Sequence, residues 1–292
     1  MMEFFILLSA GLANGGYYAL IALGLVLIFK AQDMVQFGHG EVFMVGAFAA
    51  FTVYEILGWS FPLAFLASVV VATIIGLVVE RWLIRPIAAM PHMTLVMVTV
   101  GLSFVLKGAA RIEWGKDIYT FPGIFDSGPI FIGDVVLMPQ QILLVVFTLV
   151  VSVAMYFMFR FTALGKQMRA TSQNMTGAQL SGVNIGKVFS STWAMSAAMG
   201  GAAGALAAPV LSLLYPDIGT FILLKGFAAA VLGGFGSVLG AIVGGFAVGV
   251  MEKFVGFYIA TALEHISAFV IIMLVLIFWP KGLFGTKDVT RV

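Results

Sequence analysis

The sequence contains no cysteine among its 292 residues. That absence excludes disulfides, a thiolate nucleophile, and zinc or iron–sulfur sites built on cysteine. Charged residues are also scarce, at 10% of the chain, whereas soluble domains carry about 25%. Hydrophobic residues make up 62%. So few charges cannot cover a water-exposed surface, and we therefore expect the solvent of this chain to be mostly lipid.

Several functional motifs are missing as well. The net charge is only +2, and no basic block is interleaved with aromatic residues, which argues against nucleic acid as a partner. No two of the three histidines are four residues apart, so there is no metal signature. A phosphate-binding loop for ATP is absent: the nearest approach, from Gly182 to Val188, is one residue short and ends in valine. Energy for active transport would have to come from another subunit.

Two other classes of membrane protein also lack their motifs. A passive channel built on two half-helices carries Asn-Pro-Ala at the helix starts, and the sequence has no Asn-Pro dipeptide. An intramembrane serine protease needs Gly-x-Ser-Gly, whereas the candidate around Ser181 begins with Gln179 and Leu180. We therefore treat the channel as the weaker alternative to a transporter, and the protease as weaker still.

Continuous apolar segments run through the whole chain, many of them close to the roughly 20 residues that a helix needs to cross a bilayer. Backbone amides and carbonyls in hydrocarbon must form their hydrogen bonds within the protein, so only helices or closed β-barrels can span the bilayer. Barrel strands would alternate apolar with polar residues, whereas these segments are continuously apolar. We predict an all-α transmembrane bundle of eight or nine spans, forming one domain over 1–292. The segments are 4–29, 37–57, 62–84, 93–110, 139–160, 188–213, 219–234, 238–258 and 264–280.

The distribution of charge predicts the orientation of the bundle. Lysine and arginine in short loops mark the cytoplasmic side. The loop 161–187 is basic and has no acidic residue, and 81–92 and the tail after 280 are also basic on balance. The loop 111–138 carries more acidic than basic residues and is predicted to be external. The N-terminus is then outside, and the short, glycine-rich segment 219–234 is a candidate half-helix.

A cluster of polar residues and glycines stands at the start of the second segment. It comprises Gln36, Phe37, Gly38, His39, Gly40 and Glu41. Polar groups at membrane depth are costly unless they face protein or water. If the two glycines let the backbone open before a helix start, the free amides and the helix dipole there would suit a carboxylate, as in broken-helix transporter sites. A hydrated loop at the cytoplasmic face is the alternative, and the residues alone leave both open.

The loop 161–187 is predicted to contain a short amphipathic helix at the membrane face. Its apolar residues stand near helical spacing: Met168, Met175, Ala178 and Leu180. Such a helix would either dock on a partner or serve as a plain connector between spans.

Two further patterns lie in the second half of the chain. Lys225 and Glu252 have apolar surroundings and could neutralise each other, although each could instead reach its own membrane interface. Gly236, Gly240 and Gly244 recur at every fourth residue. Small residues at that spacing favour one face of a helix on which another helix packs closely.

Three of these stretches together resemble the branched-chain amino acid permeases of the LivH type. The family signature is close to Asn-Phe-Ala-His-Gly-Glu, and the segment Gln36 to Glu41 matches it at four of six positions. The run from Arg169 to Asn184 resembles the coupling segment of that family, and the run from Lys225 to Ser237 resembles its glycine-rich stretch. The resemblance extends over nearly the whole chain.

The resemblance implies a non-enzymatic permease subunit of an ATP-driven ABC importer in the bacterial cytoplasmic membrane, working by alternating access. It implies a second related permease, an external solute-binding protein and two cytoplasmic ATPases that hold the ATP and Mg²⁺, with no cofactor on this chain. It assigns the substrate path to Gln36–Glu41 and the ATPase contact to Arg169, Ala178, Leu180 and Gly182. Branched-chain amino acids are the expected substrates, with urea, amides and aromatic acids as alternatives.

Overall fold

A computed structural model describes residues 2–88, 90–125, 128–132 and 135–285. This part of the chain contains eleven α-helices and four very short strands. The helices are α1 (Met2–Gln32), α2 (His39–Phe51), α3 (Phe61–Val79), α4 (His92–Glu113), α5 (Pro139–Phe161), α6 (Ala163–Gln173), α7 (Met175–Leu180), α8 (Ile185–Leu211), α9 (Ile218–Gly233), α10 (Val238–Tyr258) and α11 (Thr261–Phe278). The strands are β1 (Tyr119–Thr120), β2 (Ile130–Ile132), β3 (Val135–Leu137) and β4 (Leu213–Leu214).

Each of the nine predicted apolar segments corresponds to one of these helices, which confirms the all-helical fold. Among the described residues, six helices are long and apolar enough to cross a membrane: α1, α3, α4, α5, α8 and α10. The other three segments form α2, α9 and α11. At 16 residues α9 spans about 24 Å, which is less than the thickness of the hydrocarbon core.

The helices α1 and α8 form the buried centre of the bundle. Small residues let their neighbours approach closely, as is typical of membrane helices. A Cβ atom on Gly245 of α10 would meet the backbone of Ala19 in α1, and one on Gly201 of α8 would meet the backbone of Ser68 in α3. By contrast, α3, α4 and α5 expose many large apolar side chains outward, where lipid or another subunit would cover them.

The predicted three-glycine face of α10 is wrong at Gly236. This residue lies in the turn before the helix, and Ser237 is the N-cap, whose side chain accepts a hydrogen bond of 3.0 Å from the Gly240 backbone amide. The helical period therefore cannot extend back to Gly236. Gly240 and Gly244 do share one face, and a Cβ atom on either would meet backbone atoms of α9.

The last carbonyl groups of α9 accept hydrogen bonds from residues that follow α11. Gly234 turns the chain with a φ of +96°, a conformation that glycine adopts readily. The carbonyl oxygens of Leu232 and Gly233 accept hydrogen bonds of 2.8 and 3.0 Å from the backbone amides of Leu283 and Phe284. The last carbonyls of a helix have no partner within it, so this segment supplies what α9 lacks.

The two ends of the bundle differ in structure. At one end β1 pairs with β4 and β2 pairs with β3, both antiparallel; we call this the ribbon end. It includes the loop 111–138, of which Asp126 and Asp134 lie outside the described residues. The opposite end carries α6 and α7, and we call it the α6 end; the predicted tail charges Lys287 and Arg291 lie outside the described residues.

The single short helix predicted in the loop 161–187 is replaced by two helices. The Thr162 side chain accepts a hydrogen bond of 3.2 Å from the Gly165 amide and caps α6. Asn174 ends α6, and its side chain accepts a bond of 2.8 Å from the Gly177 amide, which starts α7. Capping by Asn174 is therefore the reason that one helix does not run through this loop.

Candidate functional site

The helix α2 begins inside the bundle and not at its surface. Its first residue, His39, is fully buried. The imidazole lies beside Gly24 of α1 and beside Ser196 and Gly200 of α8. Ser196 and Gly200 are near the middle of α8, which is 27 residues long. The N-terminus of α2 therefore lies at about half the depth of the bundle.

The imidazole of His39 has a partner on one side only. Its Nδ1 is 3.4 Å from the hydroxyl of Ser196, which donates a 2.9 Å bond to the Gly24 carbonyl oxygen. Its Nε2 has no hydrogen-bond partner within the described part of the chain. A Cβ atom on Gly24 would overlap the ring, so this glycine makes room for the histidine.

Three buried polar atoms at the start of α2 lack partners in the described part of the chain. They are Oε1 of Gln36, Nε2 of His39 and Oε2 of Glu41, and all three residues are at most 2% exposed. Native structures rarely leave buried polar groups unsatisfied, because each costs the free energy of its lost hydration. Three such atoms within six residues indicate a place where a ligand or water supplies the missing bonds.

The first turn of α9 lies directly against the first turn of α2. A Cβ atom on Gly40 would meet the carbonyl oxygen of Gly219, and one on Gly219 would meet the carbonyl oxygen of Gly40. The two helices therefore touch through their backbones. Both begin at this contact, which gives the site two helix N-termini within one turn of each other.

From this contact the two helices run to opposite ends of the bundle. Toward the ribbon end, Phe48 of α2 stacks on Trp114, with ring centroids 4.8 Å apart. Toward the α6 end, Gly233 at the end of α9 meets Gly240 near the start of α10. The helices α2 and α9 thus meet at their N-termini inside the bundle, a pairing that the sequence did not predict.

The glycines of this segment serve packing and not an unusual backbone conformation. Gly38 is the N-cap of α2, with φ −82° and ψ 2°, values open to other residues. Gly40 is already helical. The expectation that both glycines open the backbone is therefore wrong, because the requirement at Gly40 is the close approach of Gly219.

The carboxylate of Glu41 is bound by two neighbours through the same oxygen. Its Oε1 is 3.4 Å from the ammonium of Lys107 on α4 and accepts a 3.1 Å bond from the hydroxyl of Thr220 on α9. The Glu41 side chain is 1% exposed and that of Lys107 is 16% exposed. This ion pair joins the start of α2 to α4, together with a 3.1 Å hydrogen bond from the Phe37 amide to the Thr99 hydroxyl.

A row of four phenylalanines leads from the start of α2 toward the α6 end. The ring centroids of Phe37 and Phe227 are 6.3 Å apart, and Phe235 lies 5.2 Å from both Phe227 and Phe29. All four rings are partly buried. The row offers an apolar surface that is continuous with the polar cluster at the start of α2.

Lys225 and Glu252 lie together within the bundle and not at separate ends. The ammonium of Lys225 forms an ion pair with Oε1 of Glu252. The hydroxyl of Tyr18 donates a 2.6 Å bond to Oε2 of the same carboxylate. The pair therefore joins α9 to α10, and Tyr18 adds α1.

The four residues assigned to the ATPase contact do not all face outward. Leu180 is 86% exposed, and Gly182 has a φ of +85° with nothing near the position of a Cβ. Ala178 is buried. Arg169 is exposed, and its guanidinium donates to the Phe159 carbonyl oxygen at the end of α5. Ala178 is therefore the one inward member of this set, and Leu180 and Gly182 have no side-chain contact that holds them as Arg169 is held.

Two groups near these sites were not predicted from the sequence. One is Lys107, a lone charge in the apolar segment 93–110, and that isolation was a usable signal. The other is a cluster around Arg85, which donates two bonds of 2.9 Å to the fully buried Glu80. Arg85 also donates to Ser190 (2.7 Å) and to the Gly186 carbonyl oxygen (3.1 Å), which ties the end of α3 to the start of α8.

Comparisons with known proteins agree over nearly the whole chain. The family model for the permease component of branched-chain amino acid transport systems matches residues 7–278. The high-affinity branched-chain amino acid transport system permease protein LivH of Escherichia coli is 29% identical, over 97% of this chain and 96% of that protein. Its counterpart BraD of Pseudomonas aeruginosa is 33% identical over the same shares. The solved structure of PsaBC from Streptococcus pneumoniae in complex with Fab has a TM-score of 0.51, covering 94% of this chain and 92% of that one; at 15% identity this likeness concerns the fold alone.

Proposed function

The chain belongs to the branched-chain amino acid transport permease family, and from that premise we propose that it carries hydrophobic amino acids into the cytoplasm. The family predicted from three sequence motifs is thereby confirmed. The chain is the multi-pass membrane permease component of an ABC transporter and is not itself the enzyme. The observation that carries the proposal is the start of α2, where three buried polar atoms without partners lie at half the depth of the bundle.

The amino acid binds where α2 begins. The first backbone amides of a helix have no partner within it and carry the positive end of the helix dipole, so they suit the substrate carboxylate. Phe37 and the ring of Phe227 beside it accept the apolar side chain. Binding here is weak, because an importer must release what it carries. From this point the row of phenylalanines leads the substrate toward the α6 end.

The α6 end faces the cytoplasm and receives the ATPases. The exposed Leu180 and the open turn at Gly182 form the contact, and α7 leads directly into α8, which passes beside His39. Movement of α7 is thereby transmitted to the substrate site, and alternating access follows. Two ATPases bind Mg²⁺ and ATP and hydrolyse the ATP, a second related permease completes the path, and an external solute-binding protein delivers substrate to the ribbon end.

The test is uptake of labelled leucine into proteoliposomes that contain the permease with all its partners. The change His39→Ala should lower uptake several-fold while ATP hydrolysis is partly retained, because the ring contacts the site and not the ATPases. The matched control is His92→Ala, which should leave leucine uptake unchanged, because His92 is exposed at the start of α4. Uptake of labelled urea and of labelled phenylalanine, measured in parallel, tests the alternative substrates of the family.

Two outcomes would contradict the proposal. Normal leucine uptake by the His39 variant would show that the start of α2 is a structural element and that the path lies elsewhere. Uptake by liposomes containing the chain without any ATPase would favour a passive channel.

A further inference from the structure

The ion pair between Glu41 and Lys107 is asymmetric. Oε1 of Glu41 faces both Lys107 and Thr220, whereas the buried Oε2 has no hydrogen-bond partner among the residues that the structure describes. An ionised carboxylate has about four acceptor positions, so half of this one is unused. The free oxygen belongs to the residue that directly follows Gly40, the contact point of the two helix starts.

The same pair restricts which ligand can enter between its members. Separating two buried opposite charges leaves each without compensation, and that is strongly destabilising. A ligand that inserts here must therefore present a positive group to Glu41 and a negative group to Lys107. Urea and simple amides are uncharged and offer neither. A zwitterionic α-amino acid, whose ammonium and carboxylate are bonded to the same α-carbon, offers both.

We propose that Glu41 and Lys107 form a binding site for the zwitterionic head of an α-amino acid, with the ammonium on Oε2 of Glu41 and the carboxylate on Lys107 and the first amides of α2. This inference rests on the proposed function and specifies its substrate class. Lys107 is then a specificity-determining residue on α4, a helix that otherwise exposes most of its surface. With the pair closed, as in this structure, the site is occluded.

The test compares three ligands that share one isobutyl group and differ in charge. Leucine carries both charges, 4-methylpentanoate lacks the ammonium, and 3-methylbutylamine lacks the carboxylate. Their dissociation constants are measured by saturation-transfer NMR of the methyl groups, on the detergent-purified complex of permeases and ATPases without the binding protein, both nucleotide-free and with ATP. Omitting the binding protein ensures that the permease, and not the delivery protein, selects the ligand.

Each variant should remove one half of the recognition. The wild-type complex should bind leucine at least about tenfold more tightly than either analogue, since each analogue loses a hydrogen bond to a charged group and such bonds are the stronger ones. The change Glu41→Gln should lower the affinity for leucine to that for 4-methylpentanoate, while the affinity for 4-methylpentanoate itself should not fall. The change Lys107→Met should reduce leucine to the affinity of 3-methylbutylamine. A purely structural role would weaken all three ligands together.

Controls separate this site from general damage. Lys253→Met removes another ion-paired lysine, the partner of Glu264, and should leave the order of the three ligands unchanged. If Glu41→Gln does not assemble, Glu41→Asp keeps the charge and should keep the preference for leucine over 4-methylpentanoate.

Three results would overturn the zwitterion site. They are equal binding of the three ligands to the wild type, no leucine signal in either nucleotide state, and loss of the leucine preference in Glu41→Asp. If leucine is nevertheless taken up by proteoliposomes, the transport proposal stands and only this site fails. Absence of leucine uptake by the wild type would instead contradict the transport proposal.

Discussion

The glycines at the start of α2 show that one residue type can provide either backbone freedom or room for close helix packing, and the local sequence does not tell which. Gly38 and Gly40 both suggest backbone freedom when they are seen beside polar residues. In the fold, Gly40 is an ordinary helical residue whose missing side chain lets Gly219 of α9 come into backbone contact. The partner lies far away in the sequence, so no local pattern around Gly40 could have identified it.

We predict that Gly40→Ala destabilises the permease, because the new methyl group would overlap the Gly219 carbonyl. Overpacking of this kind costs about 1–3 kcal/mol. The measurement is the denaturation midpoint in detergent. The control is Gly101→Ala on α4, where nothing lies near the position of a Cβ, so stability should be unchanged or slightly raised. Equal midpoints for the two variants would show that α2 and α9 are not in close contact.

Charged residues in apolar surroundings were predictable one at a time, and their partners only sometimes. Lys225 and Glu252 were both singled out by their apolar surroundings, but the sequence left open whether they pair or reach separate interfaces; in the structure they form an ion pair. Glu41 was singled out too. Its partner Lys107 was not, although its isolation in an apolar segment was a local signal; the pairing itself could not be predicted, because it depends on how the bundle brings α4 to α2.

Helices were predicted well as elements, because long apolar segments identify them without knowledge of the fold. Elements that depend on few residues were missed. The strands have two or three residues each, too few for an alternating pattern. The break at Asn174 depends on one capping side chain, and the same residue would be tolerated within a surface helix. Single capping side chains of this kind decide where a helix ends or breaks, whereas the hydrophobicity of a long segment decides whether a helix forms there at all.

The hydrogen bonds of Arg85 join the end of α3 to the start of α8, two elements that are far apart in the sequence. We predict that Arg85→Ala uncouples transport: ATP hydrolysis continues while leucine uptake falls at least severalfold, because α3 no longer follows α8 when α7 moves. Arg85→Lys should rescue this poorly, since an ammonium cannot reproduce the two parallel bonds to Glu80. The measurement is the ratio of leucine taken up to ATP hydrolysed in proteoliposomes.

The control for this variant is Arg81→Ala. Arg81 lies one turn earlier and is exposed, and it makes no side-chain hydrogen bond to any described residue. A normal coupling ratio in both variants would contradict the role of Arg85 as a positioning residue.

At the scale of the whole molecule, charge should fix the orientation of the bundle. The α6 end gathers Lys166, Arg169 and Lys187, which predicts that it faces the cytoplasm. Because the chain has no cysteine, one introduced cysteine per variant reports its own side. We predict that an impermeant maleimide labels Ile118→Cys in intact cells but labels Lys166→Cys only after lysis. Both positions are exposed. The reverse pattern would invert the topology.

The closely packed centre also bears on where a substrate can pass. Small residues bring α1 into backbone contact with α10, and α8 into contact with α3. Opening such a core would separate many contacts at once, whereas α4 meets the start of α2 through few: the Glu41–Lys107 ion pair, a 3.1 Å hydrogen bond from the Phe37 amide to the Thr99 hydroxyl, and packing at Gly38. We therefore expect substrate to pass along the α4 side of the bundle, where a second permease would cover it.

The bonds that complete α9 impose an order on biosynthesis. The ribosome makes α9 before α10 and α11, yet the carbonyls of Leu232 and Gly233 find their partners only in Leu283 and Phe284. Until those residues are made, the last turn of α9 lacks these partners, and at about 24 Å the helix is too short to span the hydrocarbon core by itself. It should wait at the translocon until α11 has emerged, and the three helices should enter the lipid as one unit.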